Sequence, residues 1–223
     1  MGIHKTNDFP LTCDSTGAWR LRPNRTRKLE KKLDLRLQFL QSRYPDAEIE
    51  VWSMDEHRLG LHPILRRVWI PEAEQPFASV QQTYKWMWLY GFVHPESGET
   101  YWWILPSVNT QLFNRVLADF AQEYGLGNQK RVLLAVDQAG WHTSNDLNLP
   151  EGIDLMYLPA YSPELQPAER LWPLTNEIVA NSSPSSLDEM EELLVYRCQQ
   201  LMKQHDLISG LTCYYWWPRT RAA

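Results

Sequence analysis

VLLAVDQAGWH (132–142) and, after a polar connection, LMYLPAYSPELQPAERLW (155–172) decide how the chain folds. Arg131 to Val136 is too continuously apolar for a strand with one face in water, so it reads as a central strand covered on both sides and closed by Asp137. Asp154 to Leu158 is a further short strand. A loop punctuated by Pro159, Pro163 and Pro167 follows, then a helix predicted over Glu169 to Ala180, with Pro173 kinking or restarting it early. Two carboxylates at such element ends, facing one edge of a sheet, are what a divalent-metal phosphoryl-transfer site requires.

Working outward, Leu29, Leu33, Leu37 and Leu40 recur at helical spacing and predict a helix from Lys28 to about Tyr44, ended by Pro45. Glu48 to Asp55 alternates and reads as a strand terminating at Asp55, and Arg67 to Ile70 as a further strand. Tyr84 to Leu105 is a hairpin, with HPESG as its turn. Asn109 to Tyr124 is an amphipathic helix capped by Asn109 or Thr110 and stopped by Gly125. Ser186 to Gln204 is the last predicted helix. This order of elements packs naturally as a mixed sheet with helices on both faces.

If the strands ending at Asp55 and Asp137 are neighbours, both acids emerge at one sheet edge, with Glu169 arriving from a helix packed against it. Three convergent carboxylates can hold two Mg²⁺ ions about 4 Å apart. These hard oxygen ligands suit an ion that keeps several of its waters. Glu56 rivals Asp55, because both fall at the same strand end and the bulky Trp52 and Met54 blur the inside/outside alternation. An isolated acid at a strand end is more often a solvated turn residue or a cap.

The chain of 223 residues is long enough to bury a sizeable single core. No run approaches the roughly 20 apolar residues of a membrane span, and the N-terminus lacks the layout of a secretory signal. Cys13, Cys198 and Cys213 are odd in number and include no C-x-x-C pair, which argues against a disulfide framework or zinc site and for a reducing cytosolic setting. Net charge is −5, yet residues 1–36 hold nine Lys/Arg against four acids, a net +5 that leaves −10 on the remainder. A basic arm ahead of an acidic body fits a phosphate-gripping segment joined to a carboxylate-lined metal site, although charge runs are commonly solvated faces.

VDQAGWH followed by YLPAYSPELQPAERLW resembles the catalytic core of the mariner superfamily of DDE transposases, in its bacterial insertion-sequence branch. In that family a strand-terminal Asp is followed by a motif of the form L-P-x-Y-S-P-[DE]-L-N-P-x-E-x-x-W, which Leu158 to Trp172 match. Met54 to Trp69 resembles the family's first-acid segment, D-E-x-x-[FL]-G, and the match selects Asp55 over Glu56. The resemblance spans about residues 28–217. It implies a ribonuclease-H-like α/β fold with a mixed five-stranded sheet, and Asp55, Asp137 and Glu169 as catalytic and metal-binding residues. It further implies two Mg²⁺ ions (Mn²⁺ as substitute), element-end and TA target DNA as partners, a homodimer, and a cytoplasmic, nucleoid-associated setting.

Two departures stand out. Gln166 replaces the family's Asn, and its extra methylene is expected to misplace a hydrogen bond that positions the turn before Glu169. Residues 1–27 are expected to be a leader or basic linker ahead of a catalytic domain at 28–223, without the family's helix-turn-helix DNA-binding domain. That leaves a truncated, DNA-binding or dimerising regulator as an alternative to an active enzyme, and a ribonuclease-H-like nuclease as another.

Candidate DNA contacts are Arg25, Arg27, Arg66, Arg67 and His142, with an exposed turn or a simple cap as the competing reading for the last three. Tyr161 and Ser162 are expected to build the tight turn that aims Glu169, and Trp172, Trp216 and Trp217 to pack; Trp141 is expected to pack in the core, with stacking on a flipped or unpaired base as the competing reading. The hairpin tryptophans Trp86, Trp88, Trp102 and Trp103 divide between the core and a DNA-facing surface.

Overall fold

The computed structural model describes residues 11–13, 19–21, 23–62, 64–66 and 83–218, with side chains from residue 25 onward. The elements in chain order are β1 (Leu11–Cys13), β2 (Trp19–Leu21), α1 (Pro23–Arg43), β3 (Glu48–Gly60), β4 (Trp86–His94), β5 (Glu99–Leu105), α2 (Thr110–Glu123), β6 (Lys130–Val136), β7 (Ile153–Tyr157), two 3₁₀ turns (Pro163–Leu165 and Pro167–Leu171), α3 (Trp172–Asn176), α4 (Leu187–Leu201) and α5 (His205–Thr212). The expected strand at Arg67 to Ile70 lies outside the described residues. Among the described residues no helix is long and apolar enough to cross a membrane.

The expected mixed sheet is present. Its order is β5-β4-β3-β6-β7, with β3 parallel to β6, β6 parallel to β7, and the β3–β4 and β4–β5 pairs antiparallel. The middle strand is β3 rather than β6, which lies inside the sheet between β3 and β7, and Val132 to Val136 are wholly buried because helices cover both faces. On one face the leucine stripe Leu29, Leu33, Leu37 and Leu40 of α1 packs on Val51, Leu133 and Met156, with Trp216 and Trp217 closing the same cluster. Farther along that face, α4 and α5 pack over Leu59 and Leu89 of the sheet together with Leu171 and Trp172. The opposite face belongs to α2, whose Phe113, Val116, Leu117 and Phe120 lie against Trp52, Tyr90 and Leu134. Each leucine so buried contributes on the order of 2 kcal/mol.

Three boundaries differ from expectation, each for a local reason. α1 begins at Pro23, which suits a first helical position, so Arg25 and Arg27 stand on a helix rather than in a linker. β3 does not stop at Asp55 but runs to Gly60, because after β6 ends it keeps its antiparallel partner β4 as far as Gly60↔Trp86. The helix expected over Glu169 to Ala180 is replaced by the second 3₁₀ turn and the short α3, and each of these, like the first 3₁₀ turn, opens with Pro at its first or second position. Closely spaced prolines remove the amide donors that a continuous α-helix would need. α5 was not foreseen.

Candidate active site

β3 and β6 run parallel, so they reach the same sheet edge. Their register ends at Ser53↔Ala135, and continuing it two residues sets Asp55 beside Asp137. β6 has ended there, which strips β3 of one neighbour and opens a cleft of about 440 Å³. Asp55, Asp137 and Glu169 line that cleft together with Ala160, Tyr161 and Gln166. This is the carboxyl end of parallel strands, where open α/β sheets bind their ligands.

Glu169 sits in the second 3₁₀ turn, pinned from below by the buried Pro167, Ala168 and Leu171. Gln166 ties this turn to β3. Its amide oxygen accepts from the Ser53 hydroxyl, and its Nε2 donates to the Met54 carbonyl at 2.8 Å, all buried and one residue from Asp55. The expected misplacement of this turn's hydrogen bonding is not seen, since the Gln166 amide makes both bonds to β3. Upstream, Tyr161 adopts a left-handed backbone (φ 54°) and points out almost fully exposed. Ser162 beneath it is buried and accepts from Arg25 Nη1 at 3.1 Å, which moors the turn to α1.

Strand alternation separates Asp55 from Glu56. Asp55 shares the cleft with Glu169 and accepts from Trp172 Nε1 at 3.0 Å. The Trp172 ring stacks on His57 and lies over Gly91, the residue paired with Asp55 across the ladder. A Cβ at Gly91 would come within 2.8 Å of that ring. Trp172 is thus more than a packing residue, and only its place in the E-x-x-W motif hinted at this. Glu56 turns the other way, its side chain 3% exposed, and accepts from Trp141 Nε1 and His142 Nε2, each at 3.0 Å.

His142 is not a surface DNA contact, being wholly buried. Its Nδ1 lies 2.7 Å from Asp137 Oδ1 and its Nε2 meets Glu56, so both ring nitrogens face carboxylates. Arg66 is exposed but committed, its guanidinium donating to the Pro173 carbonyl at 3.0 Å and its backbone held by Asn181. Arg27 is exposed on α1. Arg67 lies outside the described residues.

The charges respond to this crowding. Burial, then the nearby charges of Glu169 and Glu56, push Asp55 up to about 8. Burial and the charge of Asp137 also raise Glu169. Asp137 moves down, chiefly through its hydrogen bond to His142. Burial disfavours a charged ring at His142, but hydrogen bonds and charges from Asp137 and Glu56 outweigh it and push the ring up to about 9. Among the described residues no group of three or more His, Cys, Asp or Glu side chains is arranged to hold a metal ion. The donor chemistry nonetheless fits a hard divalent cation: three carboxylates line one cleft, and their mutual repulsion is what a cation would relieve.

A model of the DDE superfamily endonuclease family matches residues 50–191, which include all three acids. The chain belongs to this family. An uncharacterized protein of Sinorhizobium fredii (strain NBRC 101917 / NGR234), y4pE/y4sA, is 37% identical over 87 residues, covering 39% of this chain and 63% of that protein. The mariner Mos1 paired end complex with Mg is similar at a TM-score of 0.50 and 18% identity, over 96% of this chain and 68% of that one. The catalytic domain of Mos1 mariner transposase has a TM-score of 0.46 and 16% identity, over 88% of this chain and 97% of that one. The fold of this DDE-family chain is thus the ribonuclease-H-like one expected from its motifs.

Proposed function

We propose that this chain is the catalytic domain of a DDE transposase of the bacterial insertion-sequence branch, cutting DNA at element ends and joining those ends to a target. One observation carries the reading: three carboxylates from β3, the end of β6 and a proline-built turn line a single cleft. Asp55, Asp137 and Glu169 would hold two divalent ions, Mg²⁺ or Mn²⁺. When bound, such ions polarise the scissile phosphate and neutralise charge on the attacking and leaving oxygens. The solved Mos1 complex with Mg supports that choice of ion.

The chain's own residues supply positioning, which is most of what phosphoryl transfer asks of a protein. Trp172 steadies Asp55, Gln166 fixes the turn bearing Glu169, and Asp137 is held from behind by His142. Water attacks the phosphodiester in line, leaving a 5′-phosphate and freeing a 3′-hydroxyl; that hydroxyl then attacks a target phosphodiester and displaces the target strand's 3′-oxygen. The basic α1, with Arg25 at the cleft lip through Ser162, grips the DNA backbone, and two copies bring the two ends together. A joining assay tests this: the purified chain, given a pre-cut 3′-end and plasmid DNA, should yield joined product with Mg²⁺. Cutting without joining would make it a nuclease on the same fold.

A further inference from the structure

The three carboxylates differ in how they are held, and Asp137 is the most elaborately supported. Its side chain is 53% exposed, yet Oδ1 accepts both the Ala139 amide at 3.0 Å and His142 Nδ1 at 2.7 Å. Oδ2 has no protein hydrogen bond among the described residues. His142 behind it is fixed in every direction. Its Nε2 meets the buried Glu56 carboxylate, its ring packs against Phe113 of α2 at 4.5 Å, and its carbonyl accepts from Tyr157 Oη at 2.8 Å. Glu56 Oε1 is shared with Trp141 Nε1. The chain places a buried carboxylate and a buried imidazole, Glu56 and His142, under one exposed ligand. Burying such a pair is costly unless its members are mutually bonded, and they are.

We propose that Glu56 and His142 are positioning residues that aim Asp137: Glu56 fixes the imidazole from the α2 side of the sheet, and the imidazole fixes Oδ1 so that Oδ2 is presented to the divalent ion. This rests on the three-carboxylate reading above. Partners that orient a metal ligand from behind typically contribute 10- to 100-fold in metal affinity. The sequence hides the device, because Glu56 and His142 are far apart in the chain and Glu56 looks like a rival of Asp55.

The test is calorimetric titration of the full chain with Mn²⁺ alone. Glu56→Ala should weaken Mn²⁺ binding by roughly 10- to 100-fold. Glu56→Gln keeps an Oε1 acceptor for both Trp141 and His142 and should restore binding close to wild type. DNA affinity in metal-free buffer should be the same for all variants, a split that general loosening would not give. Trp141→Phe removes one donor from Glu56 without burying a lone charge; it should shift binding the same way by a few-fold, and decides the matter if Glu56→Ala does not fold. Folded Glu56→Ala or Trp141→Phe protein that binds Mn²⁺ like wild type would overturn the brace, as would Glu56→Gln as impaired as Glu56→Ala. No Mn²⁺ binding by the wild-type chain would instead overturn the three-carboxylate site itself.

Discussion

Asp55 holds its proton at neutral pH because burial and two neighbouring acids oppose its charge. A divalent ion must displace that proton, so metal affinity should rise as pH increases from 6 to about 8 and then level off. For stability the sign runs the other way. The folded pKa lies above the unfolded one, so the contribution of this group is fully present below about 4 and is lost as pH rises through about 8. Without metal, Asp55→Asn should therefore melt higher than wild type at pH 8 and differ little at pH 4; equal melting temperatures at pH 8 would contradict this. Gln166→Ala strands the Ser53 hydroxyl and the Met54 carbonyl in the interior, at about 1–3 kcal/mol each. It should lower the melting temperature by several degrees and cut activity along with it. Asp137 and Glu169 were legible in sequence because motif residues mark them. The hydrogen bonds of Gln166, Trp172 and Glu56 were not, since their partners lie 85 or more positions away.

The element around Glu169 misled for a physical reason. Leu165, Ala168, Leu171 and Trp172 fall at helix-like spacing and are all buried, but Pro163, Pro167 and Pro173 deny the amides that would extend a helix. The outcome is a proline-built 3₁₀ turn tied to β3 through Gln166. β3 was read short because DEHRLG is polar, although its pairing with β4 continues to Gly60. Where apolar runs were long, at β6, the hairpin and α2, the sequence pattern set the elements to within a residue or two. Gly91 in β4 admits the Trp172 ring over the sheet. Gly91→Ala should push that ring away, destabilise by about 1–3 kcal/mol and loosen Asp55. Altered tryptophan fluorescence together with weaker metal binding would show it, and unchanged values of both would refute the coupling.

At the scale of the molecule, charge is divided along the chain: an acidic cleft with a basic helix moored to its lip by Arg25 and Ser162. Lys28 and Lys31 are exposed on α1 and engage no acidic partner among the described residues. If α1 follows the DNA backbone, Lys28→Glu with Lys31→Glu should flatten the dependence of log affinity on log salt by about 2, read by fluorescence anisotropy across salt concentrations. An unaltered slope would move the DNA to another face. The fold was legible from patterning at this scale, whereas the direction in which DNA crosses it was not, because a basic helix looks the same in sequence whether solvated or bound. Under the proposed function Asp55, Asp137 and Glu169 act as one site. The most direct measurement is Mg²⁺-dependent cleavage of element-end DNA by Glu169→Gln beside wild type, with melting curves of both. The prediction is loss of cleavage at an almost unchanged melting temperature. Cleavage at the wild-type rate by the folded variant would contradict it.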